Sequence, residues 1–364
     1  MSIFKSGTTI ARSQLMIPLI ALFALTIFNL FRDISFFSIE FVVTAAGYTV
    51  LSGNLISILN SASELAILAM GMTLVTAASR GQDISVGATA AIAGSVFVKI
   101  ILSNQPAWGA IILAFLGCCV VAIIVGAFNG TLVSIFKIQP MIATLILFTI
   151  GRSIAYWING GATPTIPLDH PALYLGRFIP GSPIHTPVYL VIICAIVFSL
   201  VLRYTNLGLY VQSVGINEKA AHLNGINPVK MKLLVFMILG LCCAVAAVIR
   251  VGRLNLINHE TILSGIEMDA ILAVAIGGNS LGGGKFNMAG SVIGAYVIQT
   301  LTTTLLAMRV PSTDIQAYKA IVIIVIVVIG SQVMKQAVGR LWRQLFNKNE
   351  ASVIKGTTLA VEDR

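Results

Sequence analysis

Long apolar runs without charge constrain the fold of this chain more than any other feature. The clearest, Ile100–Phe136, covers 37 positions and contains no Asp, Glu, Lys or Arg. A helix needs about 20 apolar residues to cross the hydrocarbon core of a bilayer. Only 10% of all residues are charged, against roughly 25% in soluble domains. The sequence therefore predicts an all-α polytopic membrane protein embedded in a lipid bilayer.

About ten transmembrane helices are expected along the chain. Nine runs are interpreted as spans, and the apolar part of a tenth, which begins at Asp269, is too short to cross straight: Leu15–Phe31, Leu55–Ala78, Ala88–Leu102, Ala107–Phe128, Met141–Ile158, Val188–Leu202, Leu233–Ile249, Asp269–Gly284, Phe286–Met308 and Lys319–Met334. The first lacks an Ala-x-Ala-like cleavage site, so it is interpreted as an uncleaved span. We expect a tail at 1–14, a transmembrane domain at 15–334 and a second tail at 335–364.

Basic residues indicate which loops face the cytoplasm. Lys and Arg concentrate in cytoplasmic loops of membrane proteins, which places Arg80, Lys137, Lys285 and the segment 203–232 inside, together with both termini. The Pro- and Gly-rich segment Asn159–Pro187 then lies outside, where it offers a surface to an external partner. The net charge of +10 reflects membrane orientation, and no nucleic acid is expected as a partner.

The basic segment 203–232 contains a candidate short helix. Residues Glu218–Leu223 favour helix formation, Asn217 can cap the first turn, and Gly225 can end the last. The alternative is a plain solvated loop. Either way, the segment lies between two membrane spans and faces water.

Two further segments interrupt the apolar pattern. Asp83, in the stretch Ser79–Gly87, is well placed to cap the next helix, and a role in substrate binding is the alternative. The stretch Gly277–Lys285 fails as a phosphate-binding loop, because Asn279 and Phe286 stand where that motif needs Gly and Ser or Thr. Its glycines instead predict an interrupted membrane segment, in which they allow either a close approach of the backbone or a break.

Three motifs resemble one family. They are Gly215-x-Asn217-x-x-Ala220-Ala221-x-x-x-Gly225-Ile226, the run from Gly81 to Gly87, and the run from Asp269 to Gly284 with its Gly-Gly-x-Ser-Leu-x-Gly-Gly core. The chain is similar through them to the permease subunits of bacterial sugar importers of the ATP-binding cassette class, the ribose and galactofuranose relatives. The second motif has Gly-Gly-Ile-Asp-Leu-Ser-Val-Gly in that family, and this chain departs from it at Arg80, Gln82 and Ile84.

The resemblance implies a function and a set of partners. It implies a permease of the bacterial inner membrane, a separate cassette ATPase, a second permease copy or paralogue, and a periplasmic sugar-binding protein. The short cytoplasmic helix would be the coupling helix, which docks into the ATPase through Gly215, Asn217, Ala220, Ala221 and Gly225. The two alanines and the glycines are expected to give it a small, smooth surface.

Two ionisable residues lie deep in predicted spans. Glu64 and Arg152 each cost about 2.5–3.5 kcal/mol at a helix centre, so each needs a partner or a wet cavity. They line a polar path for sugar hydroxyls, or they form a structural pair, or Glu64 contacts Ser61 or Ser63. The candidate residues of a translocation path are Glu64, Arg152, Asp83, Gly277, Gly278 and Ser280.

No catalytic or metal-binding arrangement is expected. The five cysteines fall inside predicted spans, no Cys and His spacing resembles a zinc site, and no nucleophile and base are brought together by a motif. We therefore predict no enzyme activity and no cofactor. A secondary transporter driven by an ion gradient is the competing class, and a structural scaffold is a third, which the glycine-rich segment does not favour.

Overall fold

The described part of the chain is mostly helical. The computed structural model describes residues 3–43, 49–105 and 108–330, and within these ranges the side chains of 15–324. The twelve α-helices of these residues are α1 (Ile3–Arg32), α2 (Asn54–Ser79), α3 (Val86–Ser103), α4 (Trp108–Ser134), α5 (Pro140–Ile158), α6 (Thr186–Tyr204), α7 (Leu207–Ile216), α8 (Glu218–Leu223), α9 (Pro228–Leu254), α10 (Ile266–Ile276), α11 (Met288–Ala307) and α12 (Ile315–Gly330).

Eight of these helices are long and apolar enough to cross a membrane: α1 to α6, α9 and α11. Eight of the ten predicted runs thus coincide with such helices. The run from Asp269 falls on α10, whose 11 residues rise roughly 16 Å, about half of a hydrocarbon core. The last run overlaps α12, a 16-residue apolar helix in a second unit that begins at Gln316, and the run's end lies outside the described residues. The tail predicted at 335–364 also lies outside them.

Four helices form the interior of the main unit. In the most apolar 18-residue window, 72% of the residues are buried in α2 and in α3, and 61% in α9 and in α11, against 17–28% in α1, α4, α5 and α6. Helix α9 packs against α2, α3 and α4, and α2 also packs against α11, α10, α6 and α7. Helices that are apolar all round, such as α4, are typical of membrane spans, because their outer faces contact lipid.

The segment before α2 is partly extended. It has one turn of 3₁₀ helix at Ile34–Phe37 and an antiparallel hairpin of β1 (Glu40–Val43) and β2 (Thr49–Ser52). The β-branched residues of both strands favour extended backbone. The hairpin contacts the Pro-rich loop, since the backbone N–H of Leu51 donates to the carbonyl of Pro183 at 3.0 Å.

Glycines allow α4 and α9 to approach each other closely. A Cβ atom at Gly240 would lie 2.2 Å from the carbonyl oxygen of Ala122, and one at Gly126 would lie 2.4 Å from that of Phe236. Small residues at such positions let membrane helices pack backbone to backbone. The most extensive helix contact in the structure depends on these two glycines.

We expect Gly240→Ala to destabilise the protein by about 1–3 kcal/mol, since the new methyl group meets the backbone of α4. The matched control is Gly109→Ala in α4, where nothing lies within 4 Å of the added atom. That change should be neutral or slightly stabilising, by up to about 1 kcal/mol, because Ala is the better helix former. Thermal unfolding in detergent measures both, and equal midpoints for the two variants would contradict the close approach.

Candidate functional site

The short helix predicted in the basic segment is present. Helix α8 covers Glu218–Leu223, and the side chain of Asn217 caps it by accepting the backbone N–H of Ala220 at 3.1 Å. At its other end, Gly225 has a φ of +80°, and the N–H groups of Gly225 and Ile226 donate to the carbonyls of His222 and Ala221 at 3.0 Å each. These paired bonds are a Schellman motif, which requires the left-handed backbone that glycine favours. The helix prediction is confirmed, and the plain loop is excluded.

The outer surface of α8 differs from the one expected. Ala220 is exposed, but Ala221 is only 4% exposed, so its methyl group packs inside the chain. Leu223 is 87% exposed and Ile216 57%. The apolar part of the surface available to a partner therefore comes from Ile216, Ala220 and Leu223, and the expectation that both alanines form it is wrong for Ala221.

Gly215 serves packing within the chain. A Cβ atom at this position would lie 1.8 Å from the carbonyl oxygen of Ala77 and 2.7 Å from the backbone nitrogen of Gly284. Gly215 is buried, so it does not contribute to a smooth outer surface as expected. It lets α7 touch both the end of α2 and the glycine-rich loop. Helix α7 itself was not predicted.

A hydrogen-bonded junction holds these three segments together. The backbone N–H of Gly284 donates to the carbonyl of Ala77 at 2.9 Å. From the end of α2, Arg80 donates through Nε to the carbonyl of Gly215 at 2.6 Å and through Nη2 to that of Ile216. The junction therefore connects α2, α7 and the loop between α10 and α11, next to Asn217, which caps α8.

An open groove of about 900 Å³ lies at the same end of the molecule. Four cationic side chains line it, Arg80, Lys137, Lys219 and Lys232, and Lys232 pairs with Glu218 at 2.6 Å. We call it the inner groove. Arg80, Lys137 and the segment 215–228 were all predicted to face the cytoplasm, and the fold brings them together. This agreement supports the predicted orientation of these loops.

The segments predicted outside meet at the opposite end. The N–H of Ile166, in the Pro-rich loop, donates to the carbonyl of Asn255 at 2.7 Å. A Cβ atom at Gly176 would lie 2.2 Å from the backbone nitrogen of Arg253, at the end of α9. Burial and the neighbouring Arg253 lower the pKa of His185, the residue that precedes α6. The Pro-rich loop is thus packed onto the far end of α9.

Glu64 does not pair with Arg152. Its carboxylate is fully buried and pairs with Arg250 and with Nη1 of Arg253, the latter at 3.3 Å. Arg253 also donates to the carbonyl of Asn60 at 3.0 Å. The predicted Glu64–Arg152 pair is therefore wrong. Sequence reasoning missed both arginines because it ended this span at Ile249, whereas α9 continues to Leu254; their spacing of three positions, one helical face, was the available signal.

Arg152 instead holds an outer loop. Its Nη1 donates to the carbonyl oxygens of His259, Glu260 and Ile262 at 2.9, 2.8 and 3.2 Å. The carboxylate of Glu267 lies near, because a Cβ atom at Gly87 would be 2.9 Å from its Oε2 and 3.0 Å from Nη2 of Arg152. These contacts fix the loop that leads into α10.

Asp83 supports a helix start without capping it directly. Ser85 occupies the N-cap position of α3, and Asp83 Oδ1 accepts both the backbone N–H and the hydroxyl of Ser85, at 2.7 and 2.6 Å. Asn129 donates to the other carboxylate oxygen at 3.3 Å. Asp83 was predicted to be the cap, but the cap is Ser85, two residues later. The carboxylate of Asp83 closes the turn that precedes the helix.

The glycine-rich loop joins α10 and α11, and these two helices pack closely against each other. A Cβ atom at Gly277 would lie 2.6 Å from the backbone of Gly290, and one at Gly294 would lie 2.2 Å from the carbonyl oxygen of Ala273. Gly278 has a left-handed φ of +79°, and the Ser280 hydroxyl accepts the N–H of Gly282 at 3.3 Å. The close packing predicted for this region is confirmed. A role in a translocation path stays a prediction for Gly277, Gly278, Ser280, Glu64, Arg152 and Asp83.

Comparison with known proteins identifies a family to which this chain is similar. Residues 54–330 match the family model described as the branched-chain amino acid transport system permease component. No solved structure gives a significant match.

Three curated relatives are similar over most of their length. The chain is 39% identical to the galactofuranose transporter permease protein YtfT of Escherichia coli over 78% of this chain and 81% of that protein. It is 35% identical to the ribose import permease protein RbsC of Escherichia coli over 77% and 86%. It is 32% identical to the fructose import permease protein FruF of Bifidobacterium longum over 84% and 85%. The chain belongs to this family of transport permeases.

Proposed function

We propose that this chain is a permease subunit that carries a sugar across the bacterial inner membrane, driven by ATP hydrolysis in a separate cassette ATPase. The family description names branched-chain amino acids, whereas the three relatives above are named for galactofuranose, ribose and fructose. Since the chain covers more than 80% of each of them, we assign a sugar rather than an amino acid.

The observation that carries the ATP-driven mechanism is the exposed helix α8. This helix is capped, Ala220 is exposed and Leu223 is 87% exposed. It lies at the end of the molecule where the basic loops meet. A helix with small and apolar side chains fits a groove of a partner protein. We infer that the partner is the ATPase, and that α8 transmits the change in its shape on ATP binding.

The complete importer contains further subunits. We propose a pair of permeases, formed by two copies or by this chain and a paralogue, and a periplasmic sugar-binding protein that docks on the outer end, where the loop Asn159–Pro187 packs against α9. In this arrangement both termini are cytoplasmic, and ten segments cross or enter the membrane, with α10 and its glycine loop as an interrupted one. The permease carries out no covalent chemistry.

The described membrane helices do not favour the secondary transporter. Proton- or sodium-driven transport uses ionisable groups that change charge or partner in the membrane. Here the buried carboxylate of Glu64 faces two arginines, and Asp83 accepts bonds from a turn and an amide. These partners hold both carboxylates in place.

The proposed function is tested by uptake in proteoliposomes that contain the permease with its ATPase and binding protein. We expect labelled ribose, galactose or fructose to enter only with internal ATP, and a substitution of the ATPase's phosphate-binding lysine to abolish entry. Labelled leucine is the comparison substrate. Leucine uptake without sugar uptake would contradict the substrate class, and uptake driven by an ion gradient without ATP would favour the secondary transporter.

A further inference from the structure

Arg80 adopts a backbone conformation that is unfavourable for its residue type. It ends α2 with φ +57° and ψ +31°, in the left-handed region where a side chain crowds the following carbonyl. Glycine takes this conformation without strain, whereas an arginine does not. The arginine is therefore held here at a conformational cost, which calls for a compensating role of its side chain.

The side chain binds the end of α7. Its Nε and Nη2 donate to the carbonyl oxygens of Gly215 and Ile216, the last two residues of that helix. Helix ends leave such carbonyls without intrahelical partners, and a cation is favoured beside them. The next residue, Asn217, is the cap of α8. Arg80 thus fixes the point at which the chain passes from α7 into α8.

Backbone contacts surround the same point. Gly284 donates to the carbonyl of Ala77, and the missing Cβ of Gly283 would lie 2.7 Å from Cγ of Arg80. Helix α2 is buried and packs against α9, α10 and α11. Arg80 and α2 therefore provide a direct route by which a displacement of α8 reaches the interior of the protein.

We propose that Arg80 is a positioning residue for coupling, which transmits the movement of α8 to α2 and to the glycine loop after α10. This inference rests on the proposed function, because it takes α8 to be the element that the ATPase moves. Two parallel bonds from one rigid guanidinium resist rotation as well as separation. Loss of the side chain should leave the subunits assembled and ATP hydrolysis intact, while less sugar moves per ATP.

Lys137 provides a matched control. It also has a left-handed backbone, with φ +55°, and it also lines the inner groove. Its side chain makes no hydrogen bond or ion pair with the described residues. Replacement of either residue by glycine relieves the same kind of strain and removes one positive charge, but only Arg80→Gly removes a connection between helices.

The experiment measures sugar moved per ATP hydrolysed in proteoliposomes of the full importer. We expect Arg80→Gly to lower this ratio about tenfold, within the range of coupling between sites, with unchanged thermal stability and ATPase co-purification. Arg80→Lys keeps the charge but not the paired donors, so it should fall between Arg80→Gly and the wild type. Lys137→Gly should retain the wild-type ratio.

Three outcomes would overturn the inference. They are a wild-type ratio for Arg80→Gly, an equal loss for Lys137→Gly, and loss of ATPase association as the cause of the defect. If Arg80→Gly does not fold, Arg80→Lys decides, since a wild-type ratio in that variant contradicts the need for paired donors. The proposed function fails separately, by the absence of ATP-dependent uptake in the wild type.

Discussion

We expect Glu64→Gln to remove most of the folded permease from the membrane, because it destabilises the fold. The carboxylate is fully buried between Arg250 and Arg253, which are 30% and 21% exposed. Without it, two arginines face each other with no counter-charge. Removal of one member of a buried ion pair costs about 3–5 kcal/mol, and the partial exposure of the arginines places this site at ~3 kcal/mol. That is a large share of the roughly 5–15 kcal/mol by which native proteins are stable.

The matched control is Glu218→Gln. That carboxylate also pairs with a cation, Lys232 at 2.6 Å, but it is 47% exposed. Exposed pairs contribute about 0–1 kcal/mol, so this variant should accumulate like the wild type. Membrane levels and the midpoint of thermal unfolding in detergent measure both changes. Equal behaviour of the two variants would mean that Glu64 is not an ion-paired buried carboxylate.

Double variants identify the partner. Glu64→Gln with Arg250→Gln should recover part of the loss, because the remaining Arg253 still binds the carbonyl of Asn60. Glu64→Gln with Arg152→Gln should show additive losses, since Arg152 contacts the outer loop instead. Recovery in the second pair and not in the first would contradict the structure.

Sequence patterns predicted the long helices and the ends of α8. Eight apolar runs became long helices because a span of about 20 apolar residues is a local property. Asn217 and Gly225 act on bonds within a few residues, so their cap and Schellman motif were also predictable. Similarly, the glycines of the stretch Gly277–Lys285 indicated a close approach of the backbone, which the structure shows between Gly277 and Gly290.

Long-range partners were not predictable in the same way. Glu64 and Arg250 are far apart in sequence, and no local rule says which face of α9 meets α2. The prediction of which face of α8 is exposed was wrong for another reason. A helix of six residues has too few positions for a hydrophobic period to distinguish the buried Ala221 from the exposed Ala220. Both errors arise from packing, which composition does not encode.

The corrected face of α8 makes Leu223 the most informative residue for ATPase docking. An 87% exposed leucine contributes nothing to packing within the chain, yet its burial in a partner's groove would stabilise a complex by about 1.5–3 kcal/mol. Leu223→Lys keeps a good helix former and places a cation at the end of α8, where the helix dipole favours it. The helix should remain intact. By contrast, Ala221→Arg would displace α8 itself, because Ala221 is buried.

We therefore expect Leu223→Lys to weaken ATPase co-purification about 10- to 100-fold and to abolish sugar uptake, with membrane levels and thermal stability unchanged. Ala220→Arg should act in the same way, since it adds a long charged side chain to the exposed face. The control is Leu209→Lys in α7, a leucine that is 64% exposed on the neighbouring helix. It should retain ATPase association and uptake.

If both α8 variants associated and transported like the wild type, α8 would lie outside the ATPase contact. The coupling proposed for Arg80 would then have no element on which the ATPase acts. Equal loss in the Leu209 variant would mean that the effect of the substitutions is not specific to α8.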